Sequence, residues 1–254
     1  MNNKLIVANW KNHPDTLAEA EGILEFANNY LESLGDKKEF SLVFCPPFVF
    51  TEEVAKKLKM SHLEHNAELG AQDIANDDKL TLTGEISGLM LQKLGVRYVI
   101  IGHSERRWKL NESNEVVNKK LKSVLINEMI PIVCIGEREK NEDYKKFLEN
   151  QISETFQGLT ANEVGKCIIA YEPVWAIGTG KVATDEQAQE VHKYIRQRIA
   201  DRNPVIAEKV QILYGGSVKP DNAKGLFAMP DIDGGLVGGA SLDAKGFLQI
   251  CHSV

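Results

Sequence analysis

Short apolar runs alternate with helical patterns along the whole chain, and this alternation is the feature that most limits its fold. The runs are rich in β-branched residues and cover positions 5–8, 42–45, 98–101, 132–135, 168–171, 210–214 and 236–237, with a weaker run at 66–71. Continuous apolar runs of this length are typical of strands that are buried on both faces.

Amphipathic helices are indicated between these runs. Apolar residues recur at a spacing of three and four positions in the series Leu17, Ala20, Leu24, Ala27, Leu31 and Leu34. Such residues share one face of a helix. Thr184 and Gln187 have the spacing of a capping box, which predicts a helix over 185–200.

About eight strand–helix units follow from the pattern, and they predict an α/β fold with a parallel sheet. Eight parallel strands close most economically into a (β/α)8 barrel, and 254 residues fit one such barrel as a single domain over residues 1–254. A doubly wound open sheet is the alternative. A dinucleotide-binding sheet of that kind carries a glycine fingerprint after its first strand, whereas the first run here is followed by Asn9, Trp10 and Lys11. This difference favours the barrel.

Charge and cysteine content narrow the class of partner and the compartment. The formal net charge is −6 and the isoelectric point about 5.6, which argues against nucleic acid or an anionic membrane as a partner, because both require a basic face. No apolar run is long enough to span a bilayer, and the amino terminus lacks the pattern of a signal peptide. The four cysteines include no Cys-x-x-Cys pair, which favours buried thiols in a reducing compartment. We therefore expect a cytoplasmic protein.

Polar residues and glycines that could bind or react with a ligand follow the predicted strands at their carboxyl ends. They are Asn9 and Lys11 after the first strand, His103 after the fourth, Glu172 after the sixth, and the glycine pairs 215–216 and 238–239 after the seventh and eighth. In a parallel barrel these ends meet on one face, where barrel enzymes build their active sites. We therefore expect residues that are far apart in sequence to share one cavity.

Glu172 stands at the end of the apolar run 168–171 and is followed by Pro173, an apolar stretch and two glycines. A carboxylate at the end of a buried strand is energetically unfavourable unless it is paired or has a chemical role. A loop with rigid ends and an apolar middle suits a lid that excludes water. The segment 170–181 thus indicates a catalytic carboxylate under a cover. A buried ion pair beside an ordinary loop is the alternative that this segment alone leaves open.

The other candidates also have a structural and a chemical interpretation. Lys11 is either a surface lysine or a cation at the barrel mouth, and its position favours the second. His103 is either a core histidine or a neutral imidazole at the start of a short helix, whose dipole disfavours a charged ring. Glu105 is interpreted as part of an ion pair that could orient Lys11. The glycine pairs suit a nest of N–H groups for a phosphate, and the remaining histidines show no metal-ligand spacing.

Six segments, taken together, closely resemble the triosephosphate isomerases. They are ANWK at 8–11, TGEIS at 83–87, IGHSERR at 101–107, AYEPVWAIGTGK at 170–181, YGGSV at 214–218 and GGLVGGASL at 234–242. They extend from the first predicted strand to the last, so the resemblance covers essentially the whole chain. Their occurrence in this order is far more specific than any one of them. The fold that the resemblance implies is the single-domain TIM barrel.

By this resemblance the chain would interconvert dihydroxyacetone phosphate and D-glyceraldehyde 3-phosphate, in glycolysis and gluconeogenesis, without a cofactor or a metal ion. Glu172 would be the base that moves a proton between two carbons through an enediolate intermediate. His103 would act as a neutral electrophile on the substrate oxygens. Lys11 and Asn9 would stabilise the enediolate, and Glu105 would sit behind Lys11.

The resemblance also implies a phosphate site and a homodimer. Four residues would bind the phosphate through backbone N–H groups, namely Gly178, Ser217, Gly238 and Gly239. The loop around Thr83 would form the dimer contact and pack near the neighbour's Lys11. The chain departs from the common family pattern at Asn12, His13, Asp73 and 80–82. None of these is a reacting group, and the departures near Thr83 bear on details of the dimer interface.

Two other functions are compatible with parts of the sequence. A barrel aldolase would use Lys11 for a Schiff base, which requires a lysine in an apolar pocket, whereas Asn9 is a polar neighbour. A non-catalytic barrel would bind a sugar phosphate or serve as a scaffold. The presence of Glu172, His103 and Lys11 together argues against that function.

Overall fold

The computed structural model of the protein describes residues 3–34, 40–61, 63, 67–79, 81–140, 143–177 and 182–254. Eight parallel strands form a closed barrel in chain order, and the last strand pairs with the first. The strands are β1 Lys4–Asn9, β2 Phe40–Cys45, β3 Ala67–Ala71, β4 Tyr98–Ile101, β5 Ile130–Ile135, β6 Ile168–Tyr171, β7 Ile212–Tyr214 and β8 Gly234–Val237. The predicted (β/α)8 barrel is confirmed, and the open-sheet alternative is wrong.

Helices connect the strands and cover the outside of the barrel. In the described ranges they are α1 Leu17–Leu34, α2 Thr51–Lys59, α3 Gly88–Leu94, α4 Ser104–Lys109, α5 Asn114–Ile126, α6 Tyr144–Thr155, α7 Ala161–Val164, α8 Asp185–Ala200, α9 Pro204–Ala207, α10 Ala223–Phe227 and α11 Ala244–Cys251. The capping box predicted at Thr184 and Gln187 is formed at the start of α8. Among the helices of these ranges, none is both long and apolar enough to cross a membrane.

Side chains along the strands alternate between two apolar layers. Leu5 and Val7 belong to a cluster made of strand residues, which fills the barrel interior. Ile6 and Ala8 belong to the larger cluster between the strands and the helices. Both faces of the sheet are therefore buried, which explains why the strand sequences are continuously apolar.

The last strand begins two residues before the predicted run because two glycines join it. Gly234 pairs with Leu5 and Gly235 with Ile6. A Cβ atom on Gly234 would overlap the backbone of Leu5, so only glycine allows this approach. The seventh strand begins later than predicted, at Ile212 and not at position 210.

His192 lies in α8 behind β6 and β7 and is fully buried. Its Nδ1–H donates to the carbonyl of Ala188 at 2.7 Å. The ring centroid lies 5.5 Å from that of Tyr171 and 6.0 Å from that of Tyr214. Burial lowers the pKa of His192 to about 4, so the ring is neutral at neutral pH.

We expect His192 to make the protein less stable as the pH falls from its ordinary pKa of 6.5 to about 4. In that window the imidazole takes up a proton in the unfolded chain but not in the folded protein, so acid favours unfolding. In His192→Asn the free energy of unfolding should decline less steeply between about pH 4 and 7, measured by urea titration. His252→Asn, at an exposed histidine, is the matched control and should keep the parent slope. Equal slopes for H192N and the parent would contradict the assignment.

Candidate active site

A cavity of about 390 Å³ opens at the carboxyl ends of the strands. Seven of the residues predicted from the sequence line it, namely Asn9, Lys11, His103, Glu172, Ser217, Gly238 and Gly239. Glu105 reaches the same region through its contact with Lys11. Gly178, predicted to bind phosphate, lies outside the described residues. The structure therefore brings together residues from the first strand, the last strand and those between.

Glu172 is buried directly after β6, with 2% of its surface exposed. Ser104 binds both carboxylate oxygens, since its backbone N–H donates to Oε2 at 2.8 Å and its hydroxyl to Oε1 at 3.1 Å. Nε2 of His103 lies 3.1 Å from Oε1. The carboxylate thus sits at the amino end of α4, where N–H donors and the helix dipole favour negative charge. In the described part of the chain no lysine or arginine forms an ion pair with Glu172, which disfavours the ion-pair alternative.

Two glycines make room for Glu172. A Cβ atom on Gly136 would overlap the backbone carbonyl of Glu172, and one on Gly215 would lie 2.9 Å from its Cγ. Both follow the strands on either side of β6, whose register pairs Ile135 and Tyr214 with Tyr171. The backbone that carries the carboxylate is therefore enclosed by its neighbours at close range.

His103 is the N-cap residue of α4. Its Nδ1 accepts the backbone N–H of Glu105 at 3.3 Å. A ring nitrogen that accepts a hydrogen bond carries no proton, so the proton of the neutral ring is on Nε2. This tautomer directs Nε2–H toward Glu172 at 3.1 Å. The neutral imidazole predicted for the start of this helix stays a prediction.

Lys11 has a backbone φ of 55°, in the left-handed region that is unfavourable for a residue with a side chain. Hydrogen bonds hold it there. Its N–H donates to Oδ1 of Asn9 at 3.1 Å, and its carbonyl accepts Nε2–H of Gln72 at 2.6 Å. Gln72 also donates to the carbonyl of Cys45 at 2.9 Å and so ties the residue to β2.

The ammonium group of Lys11 is paired with Glu105, with Nζ 2.9 Å from Oε1. Burial raises the pKa of the Glu105 carboxyl, but the hydrogen bond and charge of Lys11 outweigh this effect and its pKa lies below the ordinary value. Glu105 is therefore ionised at neutral pH. The Cε of Lys11 lies 3.3 Å from the place where Gly238 would carry a Cβ, so the lysine stem packs against the loop that follows β8.

Glycines and a short helical turn form another part of the cavity wall. Gly239 begins a 3-10 helix at Gly239–Leu242, and the first N–H groups of such a helix have no partner within it. No atom of the structure lies within 4 Å of the place where Gly239 would carry a Cβ. Ser217 is fixed through its carbonyl, which accepts Nδ2–H of Asn222 at 3.0 Å. This wall offers N–H donors to an anion.

Two residues that hold the site were not recognised as part of it from the sequence. Ser104 directly follows His103, and the start of a helix after a strand is the signal that could have marked its N–H as a carboxylate donor. Gln72 follows the strand with the weakest sequence signal, and nothing local indicates its contact with Lys11. In the ranges that the structure covers, no group of three or more His, Cys, Asp and Glu side chains could hold a metal ion.

A family model described as triosephosphate isomerase matches residues 4–254. The chain belongs to the triosephosphate isomerase family. It is therefore an isomerase that interconverts triose phosphates. The match covers every strand of the barrel and the whole of the described cavity.

Full-length relatives agree with this assignment. The triosephosphate isomerases of Methylococcus capsulatus and Chloroherpeton thalassium are each 44% identical to this isomerase, covering 100% of its chain and 99% of their own. That of Moorella thermoacetica is also 44% identical, over 99% of both chains. The similarity is therefore not confined to the motifs around the cavity.

Gln72→Leu should lower both the stability of this isomerase and its affinity for substrate, because the carbonyls of Lys11 and Cys45 both lose a hydrogen-bond donor. We expect a loss of about 1–3 kcal/mol in the free energy of unfolding, together with a raised KM for triose phosphate. Gln189→Leu is the control, since Gln189 also makes two hydrogen bonds, to Asp231, but far from the cavity. It should lose stability and keep its KM. Equal KM values for Q72L and the parent would show that Gln72 does not position Lys11.

Proposed function

We propose that Glu172 is the base that carries a proton between the two carbons of the triose phosphate, by way of an enediolate. Its burial at the cavity wall supports this role. Ser104 and His103 orient the carboxylate by hydrogen bonds, and within the described ranges no lysine or arginine forms an ion pair with it. A positioned general base contributes about 10²–10⁴-fold to the rate of a proton transfer.

Three residues would stabilise the negative charge that develops on the substrate oxygens. His103 presents Nε2–H as a neutral donor, and its partner at Nδ1 fixes this tautomer. Lys11 brings an ammonium group, and Asn9 brings a side-chain amide that also braces the Lys11 backbone. Donors that are already in place before the reaction stabilise an oxyanion most effectively.

The phosphate end of the substrate would lie against Ser217, Gly238 and Gly239. The glycines leave their backbone N–H groups uncovered by side chains, and Lys11 packs against Gly238 within reach of the same wall. Gly178 is proposed as a fourth donor on the resemblance of its segment alone. In this binding mode the reacting carbons would lie near Glu172 and the phosphate near Ser217, Gly238 and Gly239, all of which line one cavity.

The apolar stretch after Glu172 is proposed to shield the intermediate from water. Ile177 lines the cavity, and the indole Nε1–H of Trp175 donates to Oε1 of Glu137 at 2.7 Å. Tyr171 donates its hydroxyl to the same oxygen at 2.8 Å. Glu137 therefore anchors the start of the cover, whose residues 178–181 lie outside the described part.

The aldolase alternative is disfavoured by the surroundings of Lys11. A Schiff base requires a neutral amine as nucleophile, usually in an apolar pocket. The side chain of Lys11 instead pairs with the Glu105 carboxylate at 2.9 Å, so its surroundings are polar and not apolar. The scaffold alternative is disfavoured because the base, the imidazole and the ammonium converge on one cavity.

We also propose that the chain is a homodimer through the loop around Thr83. Beside Lys11 lies a second cavity of about 410 Å³, lined by Asn12, Gln72, Glu105 and other residues. Residues 81–85 are exposed, and Leu82 leaves 54% of its surface uncovered. Insertion of this loop into the second cavity of a partner would cover Leu82 and close the site behind Lys11.

Exposed apolar side chains beside that loop support the same interface. Phe48, Leu89 and Met90 line a third cavity of about 650 Å³ between α3 and the segment before α2. Leu89 and Met90 are 53% and 59% exposed. An apolar surface of this kind is typical of a contact between subunits.

We also propose a single domain and a cytoplasmic location. We infer that residues 1–254 form one domain, because strands from both ends of the chain close a single barrel. The four cysteines are buried thiols, which is compatible with the reducing cytoplasm. There the enzyme would act in glycolysis and gluconeogenesis.

Glu172→Gln should lower kcat for glyceraldehyde 3-phosphate by at least about 10²–10⁴-fold. The amide keeps the shape of the side chain but cannot accept the proton. The measurement is a coupled assay on pure protein, with the inhibition constant of inorganic phosphate as the readout of binding, which should stay near the parent value. Glu149→Gln, at an exposed glutamate, is the matched control and should keep full activity. Near-parent turnover of E172Q would remove Glu172 as the base, and no turnover by the parent would remove the proposed mechanism.

Leu82→Glu should convert the dimer to a monomer, because a charge would be buried in the second cavity of the partner. Light scattering after gel filtration should give twice the chain mass of 28.3 kDa for the parent and the single mass for L82E. Ile126→Glu is the control, because Ile126 is 78% exposed on α5, away from the proposed interface. A monomeric parent would overturn the proposed assembly.

A further inference from the structure

Lys219 lines the active-site cavity two residues after Ser217, and neither the sequence motifs nor the proposed mechanism uses it. The loop that carries it is braced on both sides. The backbone N–H of Lys219 donates to Oδ1 of Asn222 at 2.7 Å, and Nδ2–H of Asn222 donates to the carbonyl of Ser217 at 3.0 Å. Asn222 therefore fixes Lys219 at the same wall as the proposed phosphate donors.

The charges around the cavity do not favour a dianion without a further cation. Lys11 is paired with Glu105 at 2.9 Å, and Glu172 adds a second carboxylate, so these three groups together carry one negative charge. The whole chain also has a formal net charge of −6. A substrate with a doubly charged phosphate would therefore approach a negative field.

Lys219 carries a positive charge, opposite in sign to that of the phosphate. Among the described residues that line the cavity, Lys11 and Lys219 are the cations. Lys219 is exposed, and within the described ranges no acidic side chain forms an ion pair with it. Its ammonium group is thus available to an incoming anion at the phosphate side of the mouth.

We propose that Lys219 attracts the phosphate dianion into the cavity and so raises the rate of productive encounter. The inference rests on the proposed function, because it assumes that the phosphate lies against Ser217, Gly238 and Gly239. An exposed charge acts through water and is screened by salt, so it affects association and not the proton transfer at Glu172. Lys219 is in this sense a substrate-recruiting residue and not a catalytic one.

The test compares Lys219→Gln with the parent at low and high ionic strength. At low salt kcat/KM should fall by about 2- to 10-fold, while kcat stays unchanged. The inhibition constant of inorganic phosphate should rise by a similar factor. Added salt should narrow the difference between K219Q and the parent, because the same charge is screened. Lys219→Arg should restore most of the loss, since it keeps the positive charge.

Lys209→Gln is the matched control. Lys209 is also an exposed lysine, but it lies at the opposite end of the barrel, before the first residue of β7. Lys209→Gln makes the same change in net charge as Lys219→Gln but at a distant site, so K209Q should keep the parent kcat/KM at both salt concentrations. Equal losses in K209Q and K219Q would assign the effect to the net charge and overturn the local role of Lys219.

Other outcomes separate this inference from the proposed function. If the parent isomerises triose phosphate and K219Q does so with the same kcat/KM, the inference is overturned and the function stands. A fall in kcat with KM unchanged would also overturn it, because recruitment does not act on the chemical step. A parent without isomerase activity would overturn the proposed function, and phosphate binding to the parent and to K219Q, measured by calorimetry, would still test Lys219.

Discussion

Closure of the eight parallel strands is the constraint on which the rest of the structure depends. Register fixes which residues meet beyond the strand ends. Because Ala8 pairs with Val237, the next residues, Asn9 and Gly238, lie side by side at the seam between β1 and β8. The same logic encloses the backbone of Glu172 between its neighbours. The barrel therefore acts as a frame that converts positions in sequence into positions around one rim.

The short helix α4 performs three tasks with three consecutive residues. His103 caps the helix and presents Nε2–H, Ser104 binds the carboxylate of Glu172, and Glu105 pairs with Lys11. One segment thus contacts both the proposed base and the proposed cation. The N–H groups at its start supply donors to the buried Glu172 carboxylate, with which no lysine or arginine of the described ranges forms an ion pair.

The cavity combines a negative interior with donors for an anion, and this combination has a chemical reason. The proposed base, Glu172, would have to be a carboxylate to accept a proton, while a triose phosphate brings a phosphate of the same sign. In the proposed binding mode, backbone N–H groups of Gly238 and Gly239 would attract the phosphate without adding a charge that would stabilise the carboxylate further. The net charge near the proposed base would then stay low, and the attraction would act on the phosphate.

The sequence by itself determined the barrel and seven of the residues that line its cavity. Continuous apolar strands separated by amphipathic helices have one economical closed arrangement, and residues directly after the strands must then share one face. The place of His103 directly before a short helix also followed from the pattern. These features depend on local pattern and on topology, which a single sequence displays.

Only the tertiary structure decided how those residues are held. The structure shows that Ser104 holds the Glu172 carboxylate by hydrogen bonds and that Gln72 braces the unfavourable backbone of Lys11. Contacts of this kind join elements that are distant in the chain. They are set by register, by loop shape and by the absence of side chains at Gly136 and Gly215. No local pattern encodes them, because a hydrogen bond requires two groups within about 3 Å of each other and sequence spacing fixes that distance only inside one element.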